Sequence, residues 1–142
     1  MKEFTELGRH FLVEFNQCNP DRIRWIRDLK PLLLEAARKS DATIVDKSFY
    51  QFKPEGVSAV LLIAESHFSI HTWPEHNYVA MDIFTCGEEM NPHKAIEIFG
   101  EGIEAKEVVV KEVPRGTQIE AELTDKSAQS FKESAISIAK EK

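Results

Sequence analysis

The sequence predicts an α+β fold, an antiparallel sheet with helices packed on one face, from three observations. Short stretches of alternating apolar and polar residues recur between Arg9 and Val113, which is strand periodicity. Two segments introduced by Asn-Pro, at Asn19-Pro20 and Asn91-Pro92, carry helical spacing instead. The strand-like stretches in the middle of the chain are joined by connections too short for anything but hairpins. At 142 residues the chain fits a single domain, residues 1–142, that can bury a core without disulfides or metals.

Arg9 to Asn16 reads as the first strand, with Phe11, Val13 and Phe15 on one face and Leu12 among polar residues on the other. Asn19 is then expected to cap a helix that starts at Pro20, with Asp21 favourable at the positive end of its dipole. Ile23, Ile26, Leu29, Leu33 and Ala37 continue at helical spacing, although Pro31 should kink the helix or cost it a hydrogen bond. Thr43 to Phe52 is the second strand, Pro54-Glu55-Gly56 a turn, and Val57 to Ala64 the third strand. Phe68 to Trp73 and Tyr78 to Cys86 form the next pair, connected by Pro74 to Asn77. A helix follows from Asn91-Pro92 to about Gly100, and Ala105 to Val113 returns as a strand. Ala128, Phe131, Ala135 and Ile138 predict a terminal amphipathic helix from Ser127, so that residues 117–142 form a C-terminal helical extension.

Composition narrows the function classes. With 42% hydrophobic and 30% charged residues, neither disorder nor a membrane span is favoured. A formal charge of -6 argues against a general nucleic-acid binder, which needs a basic face for the phosphates. Met1 to Phe15 lacks the basic start and long apolar stretch of a secretory signal, so a cytoplasmic location is expected. Two cysteines as far apart as Cys18 and Cys86 are then expected to be free thiols.

Chemistry concentrates between Glu65 and Cys86. Ser66 follows an apolar strand, and its ordinary reading is a strand-ending serine bonded to nearby backbone. His71 stands five residues on, an odd spacing that projects the two side chains to opposite faces of a regular strand unless Ser66 lies in a bend. His67, His71 and His76 match no common zinc spacing, so no metal site is expected. Cys86 ends a strand as a small buried residue, or, because Gly87 allows an unusual turn, as a thiol exposed at a sheet edge. Phe52 and Trp73 are core aromatics or a stacking surface for a flat ligand, and Glu75 is a solvated turn carboxylate or an acceptor for sugar hydroxyls.

The string Glu65-Ser66-His67-Phe68-Ser69-Ile70-His71-Thr72-Trp73-Pro74-Glu75, with Asp82-Ile83-Phe84-Thr85-Cys86-Gly87, closely resembles the prokaryotic S-adenosylmethionine decarboxylase proenzymes. Gly8-Arg9-His10, Gly56-Val57-Ser58 and Asn91-Pro92 extend the resemblance over the chain up to about Gly116. It implies a two-layer α/β sandwich that works as a homodimer of two α and two β chains, with sites near the interface.

It also implies autocatalytic serinolysis between Glu65 and Ser66, giving a β chain of residues 1–65 and an α chain of residues 66–142 that starts with a pyruvoyl group made from Ser66. In this scheme His71 is the base for processing, Ser58 assists cleavage, and Cys86 is the proton donor of each turnover. The pyruvoyl group forms a Schiff base with S-adenosylmethionine and takes up the electrons left by carbon dioxide. Glu75 is then the candidate for the ribose hydroxyls, and Phe52 and Trp73 for the adenine or the sulfonium. The product would serve as aminopropyl donor for spermidine synthesis.

Three other readings compete. A pyruvoyl-dependent arginine or ornithine decarboxylase of the same fold needs only an α-amino acid as substrate. A hydrolase or acyltransferase would keep Ser66 or Cys86 as nucleophile with His71 as base, but the serine lacks a glycine elbow. A non-catalytic binding module would keep the fold and leave the chain intact.

Overall fold

The computed structural model of the chain describes residues 6–117. Eight elements follow one another as β1 (Gly8–Asn16), α1 (Ile26–Lys39), β2 (Ile44–Gln51), β3 (Val57–Ile63), β4 (Ser66–Trp73), β5 (Tyr78–Thr85), α2 (Pro92–Gly102) and β6 (Glu107–Arg115). The six strands form one sheet in the order β2-β3-β4-β5-β1-β6, and every neighbouring pair is antiparallel. The expected α+β architecture is therefore what the chain adopts.

Alternation within the strands builds the core. Phe11, Val13 and Phe15 of β1, Phe68 and Ile70 of β4, and Val79, Met81 and Ile83 of β5 are buried under the two helices. From the helices come Leu29, Leu33, Ala36 and Ala37 of α1 and Ala95, Ile96 and Phe99 of α2. Phe15 and Phe99 pack with ring centroids 5.4 Å apart, joining the centre of the sheet to α2. Asn91 caps α2 by accepting from the Lys94 N–H at 3.2 Å, the role its position before Pro92 predicts.

The expected helix from Pro20 breaks in two. Asn19 does accept from the Asp21 N–H at 3.0 Å, but it caps only a 3-10 turn, Pro20–Arg22, and α1 starts at Ile26. Groups from the sheet take the carbonyls that a continuous helix would use. The Thr72 hydroxyl donates to the Ile23 carbonyl at 2.8 Å, while the Gly56 N–H and the Gln51 side-chain amide donate to that of Arg24 at 3.1 and 2.8 Å. Gln51 then accepts from the Ile26 N–H at 2.9 Å and so caps α1 from β2. Pro31 sits within α1 without ending it.

β4 begins two residues earlier than Phe68, at Ser66, because Ser66 already pairs with Ile63 and Thr85. The helix expected from Ser127 lies outside the described residues. Among those residues, no helix is long and apolar enough to cross a membrane.

Both helices pack on one face, so the other face of the sheet is bare within a single chain. By register it carries Leu12, Tyr50, Val60, Leu62, Trp73, Val109 and Val113, each at least 39% exposed. An uncovered apolar sheet face of this kind marks a contact surface.

Candidate active site

The β3–β4 hairpin turn is clamped from both sides. The Ala64 N–H donates to the Thr43 carbonyl at 2.8 Å, and the Thr43 N–H donates to Glu65 Oε1 at 3.1 Å. Glu65 is 8% exposed, its carboxylate spent on this clamp. Its carbonyl oxygen points the other way, into two donors of one residue: the Cys86 N–H at 3.0 Å and the Cys86 Sγ at 3.2 Å. Two donors converging on one carbonyl oxygen are the geometry that stabilises negative charge developing there.

Ser66, on the other side of that peptide bond, has φ +149°. Side-chain-bearing residues rarely adopt such a conformation, and it costs about 1–3 kcal/mol. Strain and carbonyl polarisation thus meet at one peptide bond. Cys86 is exposed just past the end of β5, an interior strand, and not at a sheet edge, and Gly87 at φ +79° turns the chain away after it. Cys18 differs in kind: it is buried, and desolvation pushes its thiol up to about 11 despite a backbone hydrogen bond.

A second group of site residues gathers lower on the sheet. Ser58 and His71 stand opposite each other across β3 and β4, and Ser58 Oγ shares a hydrogen bond of 2.8 Å with His71 Nδ1. Both line a cavity of about 390 Å³ with Phe52, Glu55, Thr72, Trp73 and Glu75. Every substrate-binding candidate from the sequence is therefore in one pocket with His71. Trp73 is 40% exposed and stacks on Tyr78 at 5.4 Å.

These two groups do not meet within one chain. β4 pairs without interruption with both neighbours from Ser66 to His71, so no bend folds one residue back on the other. Five residues of extended strand separate their Cα atoms by about 16 Å. Each chain thus holds two separate groups, one with the Glu65–Ser66 peptide and Cys86, the other with Ser58, His71 and the pocket.

Between them lies a polar cluster that sequence reading did not assemble. Asp82 Oδ2 accepts from His10 Nε2 at 2.6 Å and from His67 Nε2 at 3.0 Å, and Ser69 Oγ donates to Asp82 Oδ1. Burial alone would raise the Asp82 pKa, but these hydrogen bonds from Ser69, His67 and His10 outweigh it and hold the carboxyl below its ordinary value. The clue in the sequence was period two: His67 and Ser69 share a face, and register brings Asp82 beside them.

The ligand atoms of His10, His67 and Asp82 lie within 4.8 Å of one another. Arg115, however, can only donate, and its guanidinium sits 3.0 Å from His10 Nδ1. That fixes the proton on Nε2, the atom a metal would need bare, and makes the cluster a hydrogen-bonded one.

Asp82→Asn should lower stability at neutral pH by about 1–2 kcal/mol, since a charged acceptor of three bonds is lost. A carboxyl with a lowered folded pKa contributes above its unfolded pKa and loses that contribution as pH falls. The gap in melting temperature between wild type and variant should therefore close as the pH drops below about 4, where the unfolded carboxyl titrates. A gap independent of pH would contradict this.

Thr85 is the other residue the sequence did not single out for a role. It is 1% exposed, directly opposite Ser66, and its hydroxyl is, among the described residues, the buried side-chain polar atom without a hydrogen-bond partner.

Residues 9–116 match the family described as S-adenosylmethionine decarboxylase. The chain is 44% identical over 110 residues to the S-adenosylmethionine decarboxylase proenzyme of Thermodesulfovibrio yellowstonii, covering 78% of this chain and 82% of that protein. It is 46% identical over 110 residues to the protein of the same name from Thermotoga maritima, covering 78% and 85%. The crystal structure of the adenosylmethionine decarboxylase from Aquifex aeolicus superposes with a TM-score of 0.76 at 32% identity, over 82% of this chain and 97% of that one.

Proposed function

The chain belongs to the S-adenosylmethionine decarboxylase family, and on that basis we propose that it cleaves itself between Glu65 and Ser66 and then decarboxylates S-adenosylmethionine. The observation that carries this reading is the Glu65–Ser66 peptide, strained at Ser66 and gripped at its carbonyl by Cys86.

In processing, Ser66 Oγ attacks the Glu65 carbonyl carbon, the C–N bond breaks, and the peptide becomes an ester with a free Ser66 amine. Cys86 N–H and Sγ hold the oxygen that becomes negative in between. Loss of the Ser66 α-proton then expels the Glu65 carboxylate, and water releases ammonia from the resulting dehydroalanine. The pyruvoyl group left at residue 66 supplies the electron sink for decarboxylation.

The surroundings of residue 66 fit that group. An exposed thiol, Cys86, 3.2 Å from the Glu65 carbonyl oxygen, lies beside residue 66, where the substrate carbon must be reprotonated. Phe52 and Trp73 supply aromatic faces for adenine or sulfonium, and Glu75 a carboxylate for ribose hydroxyls.

Because His71 and Ser58 stand about 16 Å from their own Ser66 along β4, His71 acts as base on the Ser66 of a second copy. The working unit is a homodimer, closed by the bare apolar sheet faces and located in the cytoplasm. A composite site of this kind also places the Phe52, Trp73 and Glu75 pocket against the cofactor of the partner subunit.

Intact mass spectrometry tests the reading directly. Two chains, broken after Glu65, with the second lacking the ammonia of an amino terminus, are expected. A single uncut mass after long incubation contradicts it. Release of carbon dioxide from S-adenosylmethionine, and not from arginine or ornithine, is the expected specificity.

A further inference from the structure

We propose that Thr85 is a positioning residue for self-cleavage, its hydroxyl donating to Ser66 Oγ as that atom turns toward the Glu65 carbonyl. The inference rests on the reading of Glu65–Ser66 as the cleavage site.

Among the described residues, the other buried polar side chains have partners. Ser40 Oγ donates to the Ala37 carbonyl, the Thr72 hydroxyl serves both the Val57 N–H and the Ile23 carbonyl, and Glu65 accepts from Thr43. Thr85 Oγ1 stands alone among the described residues, although it is 1% exposed. A valine of the same shape would remove that penalty. A hydroxyl kept in this state calls for a partner that arises in another state of the protein.

Position identifies the partner. The Cys86 N–H to Glu65 carbonyl bond flanks the Ser66–Thr85 pair, which makes it a pair of the type that exchanges no backbone hydrogen bonds with itself. In such pairs the Cα atoms are about 4.5 Å apart and the side chains are at their closest. Ser66 is also the residue whose backbone is strained, so its hydroxyl is the one with a conformational change ahead of it.

A threonine hydroxyl donates one hydrogen. Given to Ser66 Oγ, that hydrogen steadies the oxygen beside a carbonyl whose own oxygen Cys86 holds. It leaves the Ser66 proton free for the base. The same oxygen remains an acceptor once it is part of the ester, so the bond survives the shift.

Thr85→Val and Thr85→Ser test this, with self-cleavage followed on denaturing gels and melting measured on the uncut Ser66→Ala background. Thr85→Val should slow cleavage about tenfold, the worth of one positioned hydrogen bond, while melting no lower than its parent. Thr85→Ser, which keeps the hydroxyl, should cleave within about threefold of wild type by the same measure.

Cleavage of Thr85→Val at the wild-type rate overturns the proposal. So does a Thr85→Ser protein as slow as Thr85→Val, which would place the effect in packing of the methyl group. A clear fall in melting for Thr85→Val would show that the hydroxyl has a structural partner and overturn it too. Wild-type protein that never cleaves refutes the cleavage-site reading itself, and this role with it.

Discussion

Ser66→Ala is expected to give a single uncut chain with no decarboxylase activity, because in the proposed scheme it removes the one atom that attacks and the one side chain from which the cofactor is made. The effect should be complete, since no neighbouring hydroxyl can replace a group that must be bonded to residue 66 itself. Misfolding is not the expected cause. Alanine meets the same φ of +149° that serine does, so the backbone strain is unchanged and melting should stay close to that of the uncut wild type.

Ser66→Gly separates strain from chemistry. Glycine adopts positive φ freely, so this variant should also stay uncut yet fold more stably by about 1 kcal/mol. Normal activity in Ser66→Ala would dismantle the whole scheme, and a Ser66→Gly protein less stable than Ser66→Ala would remove the case for strain at the scissile bond.

Mixing two dead variants should restore cleavage. Ser66→Ala lacks the nucleophile and His71→Ala the base, and neither homodimer is expected to process. In a mixed dimer, the His71→Ala chain still has Ser66, and the Ser66→Ala chain presents an intact His71 to it. One of the two composite sites is then whole, so the His71→Ala chain should be cut and the Ser66→Ala chain left intact. Distinguishable tags on the two chains, read by mass, check this.

Strand geometry dictates that result. Ser66 and His71 are on one strand with unbroken pairing to β3 and β5, and about 16 Å of extended backbone cannot be closed by side-chain motion. Absence of any cut chain in co-expressed variants, with mixed dimers demonstrated by the tags, would mean that His71 serves its own chain or none. The bare face bearing Leu12, Val60, Leu62 and Val113 is where the second copy is expected to sit.

Local signals decide a conformation wherever the residues that set it are close in sequence. Asn91 capped α2 and Pro54-Glu55-Gly56 joined β2 to β3, because caps and tight turns are settled by neighbours. Asn19 shows the limit of such signals. Its cap formed, yet the helix failed, because Thr72 and Gln51, 49 and 27 residues away along the chain, claimed the carbonyls of Ile23 and Arg24. Helix propensity is a weak prior against hydrogen-bonding groups that tertiary contact delivers.

The site divides along the same line. The order of its residues alone carried an antiparallel sheet under two helices, since strand alternation is a property of short segments, and by resemblance it singled out Glu65, Ser66, His71 and Cys86 as candidates for the reactive set. Only the tertiary structure decided that Cys86 grips the Glu65 carbonyl, that His10, His67 and Asp82 form one cluster, that Thr85 is left without a partner, and that Ser66 and His71 stand apart. Those facts depend on strand register and on which polar groups meet in space, and register is set by pairing between segments that no local pattern contains.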